Sequence, residues 1–427
     1  MTASVSAPTP RRHQLANGVT LLCDPAPGFE TLALSVVAGR GARWEDEARS
    51  GWSHLLEHMV FKGAGGRSAR EIVEVIEADG GHLNAATGHE RTSFQVRALA
   101  AALAPAMELV ADLVQRPTLD PDDLAREKQI VAQEIAEAAD TPDDQVFELA
   151  QAAAFAGQPL GRPILGSAAS LAPTDPASLE GWRSVVYAPD RLVVSVSGAV
   201  DEDVFLRLAE AAYGAAPSLS HPAAVPAEFR GGHARERRKL EQAHLVFLLP
   251  APSVADQGYW PFRLFAEALG GGMSSRLFQE ARERLGLAYA IDAYAEAYAD
   301  VGVLGIYAGC AAADAGRLAE VAGGQVRALI AGCGAAELAR AKAQLKTSLF
   351  MARESLLIRA EQAAAQVLSL GAVQPPSALA AAIDAVTLED IGRLGARLLA
   401  PGRATASVLG PRPAMEAPAR FEAALFG

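Results

Sequence analysis

The run His54-Leu55-Leu56-Glu57-His58 places two imidazoles and a carboxylate within five residues. In a helix, residues four apart lie one turn above each other, so His54 and His58 can both offer a ring nitrogen to one ion. Glu57 sits three residues after His54 and beside His58, at the rim of the same face. From there it can reach a water at that ion without taking a ligand position. Two neutral imidazoles plus one carboxylate, with a fourth position left open, is the coordination expected of a catalytic zinc. The pentapeptide supplies two of those ligands, so the third must come from elsewhere in the chain.

A later segment has the makings of a helix that could carry acidic groups. Asp120 suits the N-cap, Pro121 the first helical position, and Asp123 the positive end of the helix. Glu127 and Glu134 are seven residues apart and project from nearly the same face.

The order H-x-x-E-H reverses the zincin order H-E-x-x-H. With it occur Asn17-Gly18-Val19, Met59 followed by Phe61-Lys62-Gly63, Gly80-Gly81, Asn84-Ala85 with Thr87, and Glu90 with Thr92. Over nearly its whole length the chain thereby resembles the M16 (pitrilysin or inverzincin) metallopeptidases. The likeness is to the half-length M16B branch that includes mitochondrial processing peptidase subunits. That resemblance implies an α+β chain of two homologous domains, each an antiparallel-rich sheet covered by helices, the LuxS/MPP-like metallohydrolase fold.

The resemblance also implies roles. Glu134 becomes the third ligand of one Zn2+ per chain, and Glu127 orients a ligand from behind. Glu57 is the general base and then the general acid. Arg282 contacts substrate and Tyr289 stabilises the oxyanion, while Asn84, Ala85 and Thr92 hold an extended peptide as an added β-strand. Double-length members close two halves around a chamber, with the metal in one half and the Arg and Tyr pair in the other. This half-length chain carries both sets, so a homodimer is expected, with a heterodimer with a homologue lacking H-x-x-E-H as the alternative. The expected function is a zinc-dependent endopeptidase acting on peptides or unfolded segments. A dedicated leader or precursor peptidase working with a partner subunit is the first alternative, and a non-catalytic binding or structural subunit the second.

An internal repeat supports the duplicated fold independently. Leu124-Ala125-Arg126 with Lys128 recurs as Leu338-Ala339-Arg340 with Lys342, and Ala188-Pro189-Asp190-Arg191 recurs as Ala400-Pro401-Gly402-Arg403. Superposing the copies puts Ala341 where Glu127 stands and Ser348 where Glu134 stands. The fold occurs twice and the acidic ligand set once.

Periodicity and turn chemistry give strands at Gly18 to Cys23, Thr31 to Val37, Thr92 to Val96 and Arg191 to Ser197. Helices follow at the metal motif, after the Ser68-x-x-Glu71 capping box up to Gly80-Gly81, and over Ala98 to Gln115, Pro121 to Ala138 and Pro142 to Phe155. The expected domains are 1–213 (metal-binding) and 239–427 (substrate-contacting, without the metal), with 214–238, rich in Pro, Ala, Gly and charge, as linker. Gly270-Gly271-Gly272 precedes a helical segment but matches no phosphate-binding pattern. The net charge of −12 argues against general nucleic-acid binding. Three scattered cysteines make neither a disulfide framework nor a cysteine zinc site. The arginine-bearing start, Met1 to His13, has no apolar core of a signal peptide, and no membrane-spanning run is evident, so a cytoplasmic protein without membrane or nucleic-acid partners is expected.

Overall fold

A computed structural model describes residues 9–217 and 223–427 of the chain; the reading of Met1 to Pro8 and of residues 218–222 lies outside the described residues. The first sheet has six strands: β1 (Arg11–Gln14), β2 (Thr20–Pro25), β3 (Thr31–Ala38), β4 (His82–Thr87), β5 (Thr92–Leu99) and β6 (Leu192–Gly198), in the order β1-β2-β6-β3-β5-β4. The second has five: β7 (Gly232–Arg237), β8 (Gln242–Ala251), β9 (Ala290–Ala297), β10 (Gly302–Ala311) and β11 (Thr405–Gly410), in the order β9-β10-β8-β11-β7.

Read from the other end, the second order matches β2-β6-β3-β5-β4. In each sheet the first and last of these strands in the chain direction of the repeat, β2 with β6 and β7 with β11, form the parallel pair. The other main pairings are antiparallel. The repeat read from short sequence anchors is thus a repeat of sheet topology. The repeated lysines do the same local job. Lys128 Nζ donates to the carbonyls of Ala172 (3.0 Å) and Thr174, and Lys342 Nζ to those of Asp384 (2.8 Å) and Val386.

The helices that matter for the site are α1 (Trp52–Val60), α2 (Ala69–Glu77), α3 (Leu103–Gln115), α4 (Pro121–Asp140), α5 (Pro142–Ala154), α6 (Ala335–Ala352) and α7 (Leu356–Leu370). The Ser68–Glu71 capping box opens α2 as expected, both of its reciprocal bonds being formed. Asp120 Oδ1 accepts from the N–H groups of Asp122 and Asp123 at 2.9 and 3.1 Å, capping α4. One apolar core joins β3 and β5 to α1 and α3 through Leu34, Val36, Phe94, Val96, Leu55, Met59, Met107 and Val110.

The compact units interleave along the sequence. One comprises residues up to Ile135, Pro163–Val225 and Phe350–Pro376; the other comprises Ala136–Arg162, Pro226–Leu349 and Ser377–Gly427. They therefore differ from the boundaries 1–213, 214–238 and 239–427 by a reciprocal exchange of helices. Helix α7, late in the chain, packs on the first sheet through Ala363, Ala364 and Val367 against Leu22, Val37 and Val193. Helix α5, early in the chain, packs on the second sheet through Val146 and Ala150 with Val246, Leu248 and Leu409.

The stretch expected as linker also needs correction, because it contains β7. That strand lies at a sheet edge and carries mostly exposed, charged side chains. It consequently lacks the apolar alternation by which a half-buried strand is recognised. Strand β1 escaped for the same reason. Among the described residues, no helix is long and apolar enough to cross a membrane.

Helix α7 is also fastened electrostatically. Arg359 donates from Nε and Nη2 to the two carboxylate oxygens of Asp24 at 2.8 and 2.7 Å, and Ser197 Oγ donates to the same carboxylate at 3.1 Å. Asp24 is buried and Arg359 nearly so. Removing one partner of such a pair strands a charge away from water, which costs about 3–5 kcal/mol. Arg359→Ala is therefore expected to lower the free energy of unfolding, taken from urea melts, by that order, with Asp24→Asn/Arg359→Met recovering part of the loss.

Candidate metal centre

Helix α1 faces two environments. Trp52, Ser53, Leu55, Leu56, Met59 and Val60 are buried in the core, which leaves His54, Glu57 and His58 on the opposite, partly open face. The entry to the helix is fixed by backbone constraints. Gly51 has φ +89°, and a Cβ there would meet the Leu165 carbonyl at 2.5 Å. Only glycine tolerates both. The buried Glu45 carboxylate accepts from the N–H groups of Gly51 (2.8 Å) and Ser53 (2.7 Å), satisfying helix-end donors and complementing the positive end of the dipole.

The imidazoles of His54 and His58 lie with ring centroids 4.6 Å apart. Glu134 reaches them from α4, its Oε2 lying 3.8 Å from His54 Nε2 and 3.6 Å from His58 Nε2. Among the described residues these three form the group of His, Cys, Asp or Glu side chains able to hold a metal ion, with ligand atoms all within 4.8 Å of one another. Two ligand atoms each about 2.0–2.2 Å from one tetrahedral centre stand roughly 3.4 Å apart. The separations between Glu134 and the rings are close to that, and the donor set, two nitrogens and one oxygen, suits zinc.

Glu127, one side chain deeper, is 3 % exposed. Its Oε2 lies 3.0 Å from His58 Nδ1, and Lys62 Nζ donates to its Oε1 at 2.8 Å. An ionised carboxylate only accepts, so His58 carries its proton on Nδ1 and presents the Nε2 lone pair to the site. His54 Nδ1 is buried without a hydrogen-bond partner, so packing alone orients that ring. Burial, reinforced by the neighbouring His58, pulls the His54 pKa down to about 4, which keeps its lone pair available at neutral pH.

Glu57 sits beside the group. Burial raises its pKa above the usual glutamate value, and a hydrogen bond from Thr87 Oγ1 to its Oε2 (2.5 Å) partly opposes the rise. Thr87 is the last residue of β4, an edge strand that pairs with β5 and has no strand on its other side among the described residues. Asn84 and Ala85 lie on that edge strand, where an extended peptide could add. Thr92 is placed differently from the sequence expectation. It belongs to β5, one strand in, is 0 % exposed, and its hydroxyl lies 3.4 Å from that of Thr87. It is therefore a buttress for the Thr87–Glu57 contact rather than a group on the peptide-binding edge.

Arg282 and Tyr289 belong to the other compact unit. Arg282 is exposed on a π-helical turn, Phe278–Arg284, its guanidinium 4.9 Å from the Phe278 ring. Tyr289 immediately precedes β9 and is 64 % exposed, its backbone N–H bonded to the Gly309 carbonyl at 2.9 Å.

Three contributors carried no assigned role in the sequence reading. Thr87 and Lys62 lay inside the motif strings that carried the resemblance. Glu45 had no signal, because its cap spans six and eight residues through a loop.

Comparison with known proteins shows what the chain as a whole is similar to. The family described as insulinase (peptidase family M16) matches residues 24–168, and the peptidase M16 inactive domain matches residues 175–345. The chain is 33 % identical to an uncharacterized zinc protease of Rickettsia felis, over 93 % of this chain and 97 % of that protein. It is 33 % identical to the uncharacterized zinc protease YmxG of Bacillus subtilis, over 93 % of this chain and 98 % of that one. Among solved structures, a protease from Helicobacter pylori superposes with a TM-score of 0.87 at 20 % identity, covering 95 % of this chain and all of that one, 100 %. A peptidase M16 inactive domain from Pseudomonas fluorescens gives 0.86 at 20 % identity, covering 94 % and 98 %.

The depressed pKa of His54 has a consequence for stability. Folding holds this ring neutral below the ordinary value of 6.5, so between 6.5 and about 4 the unfolded chain takes up a proton that the folded chain refuses. The contribution is present above pH 6.5 and lost as the pH falls toward 4. Half-buried His89, also lowered to about 4, acts in the same sense. Denaturant midpoints of the metal-free protein are expected to fall over this interval, and less steeply in His54→Gln.

Proposed function

The chain belongs to the M16 peptidase family, and on that premise we propose that it is a zinc-dependent endopeptidase that cleaves peptides or unfolded segments held as an added β-strand. The observation that carries this reading is the convergence of His54, His58 and Glu134 beside Glu57. Zinc held by those three side chains supplies Lewis acidity and brings the pKa of a coordinated water toward neutrality. Glu57, with its raised pKa, accepts the proton of the attacking water and delivers it to the departing amine. Thr87 fixes the carboxylate by donating from its hydroxyl to Oε2. Glu127 and Lys62 hold the His58 ring in its tautomer.

The free edge of β4 offers main-chain donors and acceptors to an extended peptide, with Asn84 on its exposed side. Arg282 and Tyr289, both exposed, are assigned to substrate binding and to the tetrahedral oxyanion. In this reading they act on the metal centre of a second copy of the chain, the two copies forming the half-shells of a chamber; a heterodimer with a homologue lacking H-x-x-E-H is the alternative assembly. The intact ligand set and base weigh against a purely structural subunit. A dedicated leader or precursor peptidase, the alternative, would use the same chemistry on a narrower substrate range and with a partner subunit.

Chelation is expected to abolish cleavage of a peptide panel of graded length, and stoichiometric zinc to restore it. Glu57→Gln should retain the metal and lose about 10²–10⁴-fold in kcat. Mixing Glu57→Gln with Arg282→Ala chains should regain activity that neither has alone if sites are shared between copies. No recovery after verified subunit exchange would contradict the shared-site assembly.

A further inference from the structure

One cavity, of about 400 Å³, opens at the far end of the same edge strand from Glu57. Its walls include Phe29, Leu99, Leu356 and Leu357, with His82 and Arg97 among its polar members. All belong to the unit that carries the metal centre. Phe29 is 41 % exposed and Leu99 52 % exposed, so apolar surface is left uncovered at the mouth. Arg97 forms no ion pair among the described residues, although the chain is otherwise rich in them.

The register ties this cavity to β4. His82 pairs with Arg97, and Arg97 in turn with Ala33, a row of three side chains on one face of the sheet. Ala33, Arg97 and His82 all line the cavity. At the other end of the strand Thr87 faces the opposite way, toward Glu57. The two ends are five residues apart, roughly 17 Å at about 3.4 Å per residue. An odd separation in a strand puts the two positions on opposite faces. A peptide that adds to β4 therefore meets the base at one end. At the other it turns a side chain toward the face on which the cavity opens.

We infer that this cavity is a distal specificity subsite, which takes a bulky aliphatic or aromatic side chain about five residues from the scissile bond. The inference rests on the proposed strand-addition function and deepens it. The occupant is the substrate peptide itself, because His82 is both the first residue of the open edge and part of the cavity wall. A long peptide reaches the cavity and a short one does not. Selection therefore falls on chain length and on one remote apolar residue as well as on the residues flanking the cut.

The test uses the zinc-loaded protein and quenched fluorescent peptides with one cleavable core. In one set Leu or Asn stands five residues to the N-terminal side of the cut, in a second set five to the C-terminal side, and a third peptide stops short of both. Asn has nearly the size of Leu and no charge for Arg97 to attract. Leu is expected to exceed Asn by about tenfold in kcat/KM on one of the two sides, the scale of burying most of an apolar side chain. Leu99→Asn, at an exposed position, should erase that difference and leave cleavage of the short peptide unchanged. The inference is overturned if Leu and Asn are cleaved alike on both sides, or if Leu99→Asn slows long and short peptides equally. Failure of the hydrolase reading is distinguishable, since then none of the peptides is cut in a metal-dependent way. Binding of the long Leu and Asn peptides to Glu57→Gln, followed by fluorescence anisotropy, then still reads the cavity. Equal affinities there overturn the subsite, and preference for Leu upholds it.

Discussion

Two imidazoles one helical turn apart and a carboxylate from another helix bring their ligand atoms within 4.8 Å of one another, and the surrounding structure is arranged to keep them there. Two imidazoles and a carboxylate gathered this closely make a donor set that a divalent cation such as zinc satisfies. The groups behind the cluster work in the same direction. Glu127 takes the far proton of His58, Lys62 compensates the buried charge of Glu127, and Glu45 ties down the first turn of α1. Packing of Leu55, Leu56, Met59 and Val60 fixes the rotation of α1 about its axis, and with it the direction of both rings.

The same sheet that supports α1 also supplies the open edge, so the proposed chemistry and the proposed substrate track share one rigid element. Thr87 belongs to both. It ends the edge strand and it holds the carboxylate of Glu57, with Thr92 filling the space behind it. Bonding the base, which stands on α1, to the last residue of the strand that would receive the peptide sets the distance between them by helix and strand geometry rather than by loop conformation. In the duplicate sheet the strand order is kept, while Ala341 and Ser348 replace the acidic pair; Ala341 is buried there among apolar side chains. Ser348 is exposed, so that location offers no carboxylate to a metal.

Much of this was legible in the sequence because the signals are local. The H-x-x-E-H spacing reads directly as one helical face, the capping box and Asp120 mark helix starts, and Lys128 and Lys342 betray the repeat. What escaped was either polar or remote. Strands β1 and β7 are edge strands with charged side chains, so no apolar alternation announces them. The exchange of α5 and α7 between units is invisible to any local pattern, since each helix is amphipathic whichever sheet it covers. Thr92 stands in a motif string of the resemblance, which by itself points to the substrate edge. Only the register shows that it lies one strand inside the edge.

The central claim is that one ion is gripped by His54, His58 and Glu134. Zinc-edge X-ray absorption on the purified, zinc-loaded protein addresses it most directly, with Glu134→Ala as the comparison. The account predicts one zinc per chain with two imidazole nitrogens at about 2.0–2.1 Å and oxygen completing the shell, and zinc held at least about tenfold more weakly by the variant in competition with a chelator. A zinc shell with fewer than two imidazoles, or a zinc affinity unchanged by Glu134→Ala, would contradict it.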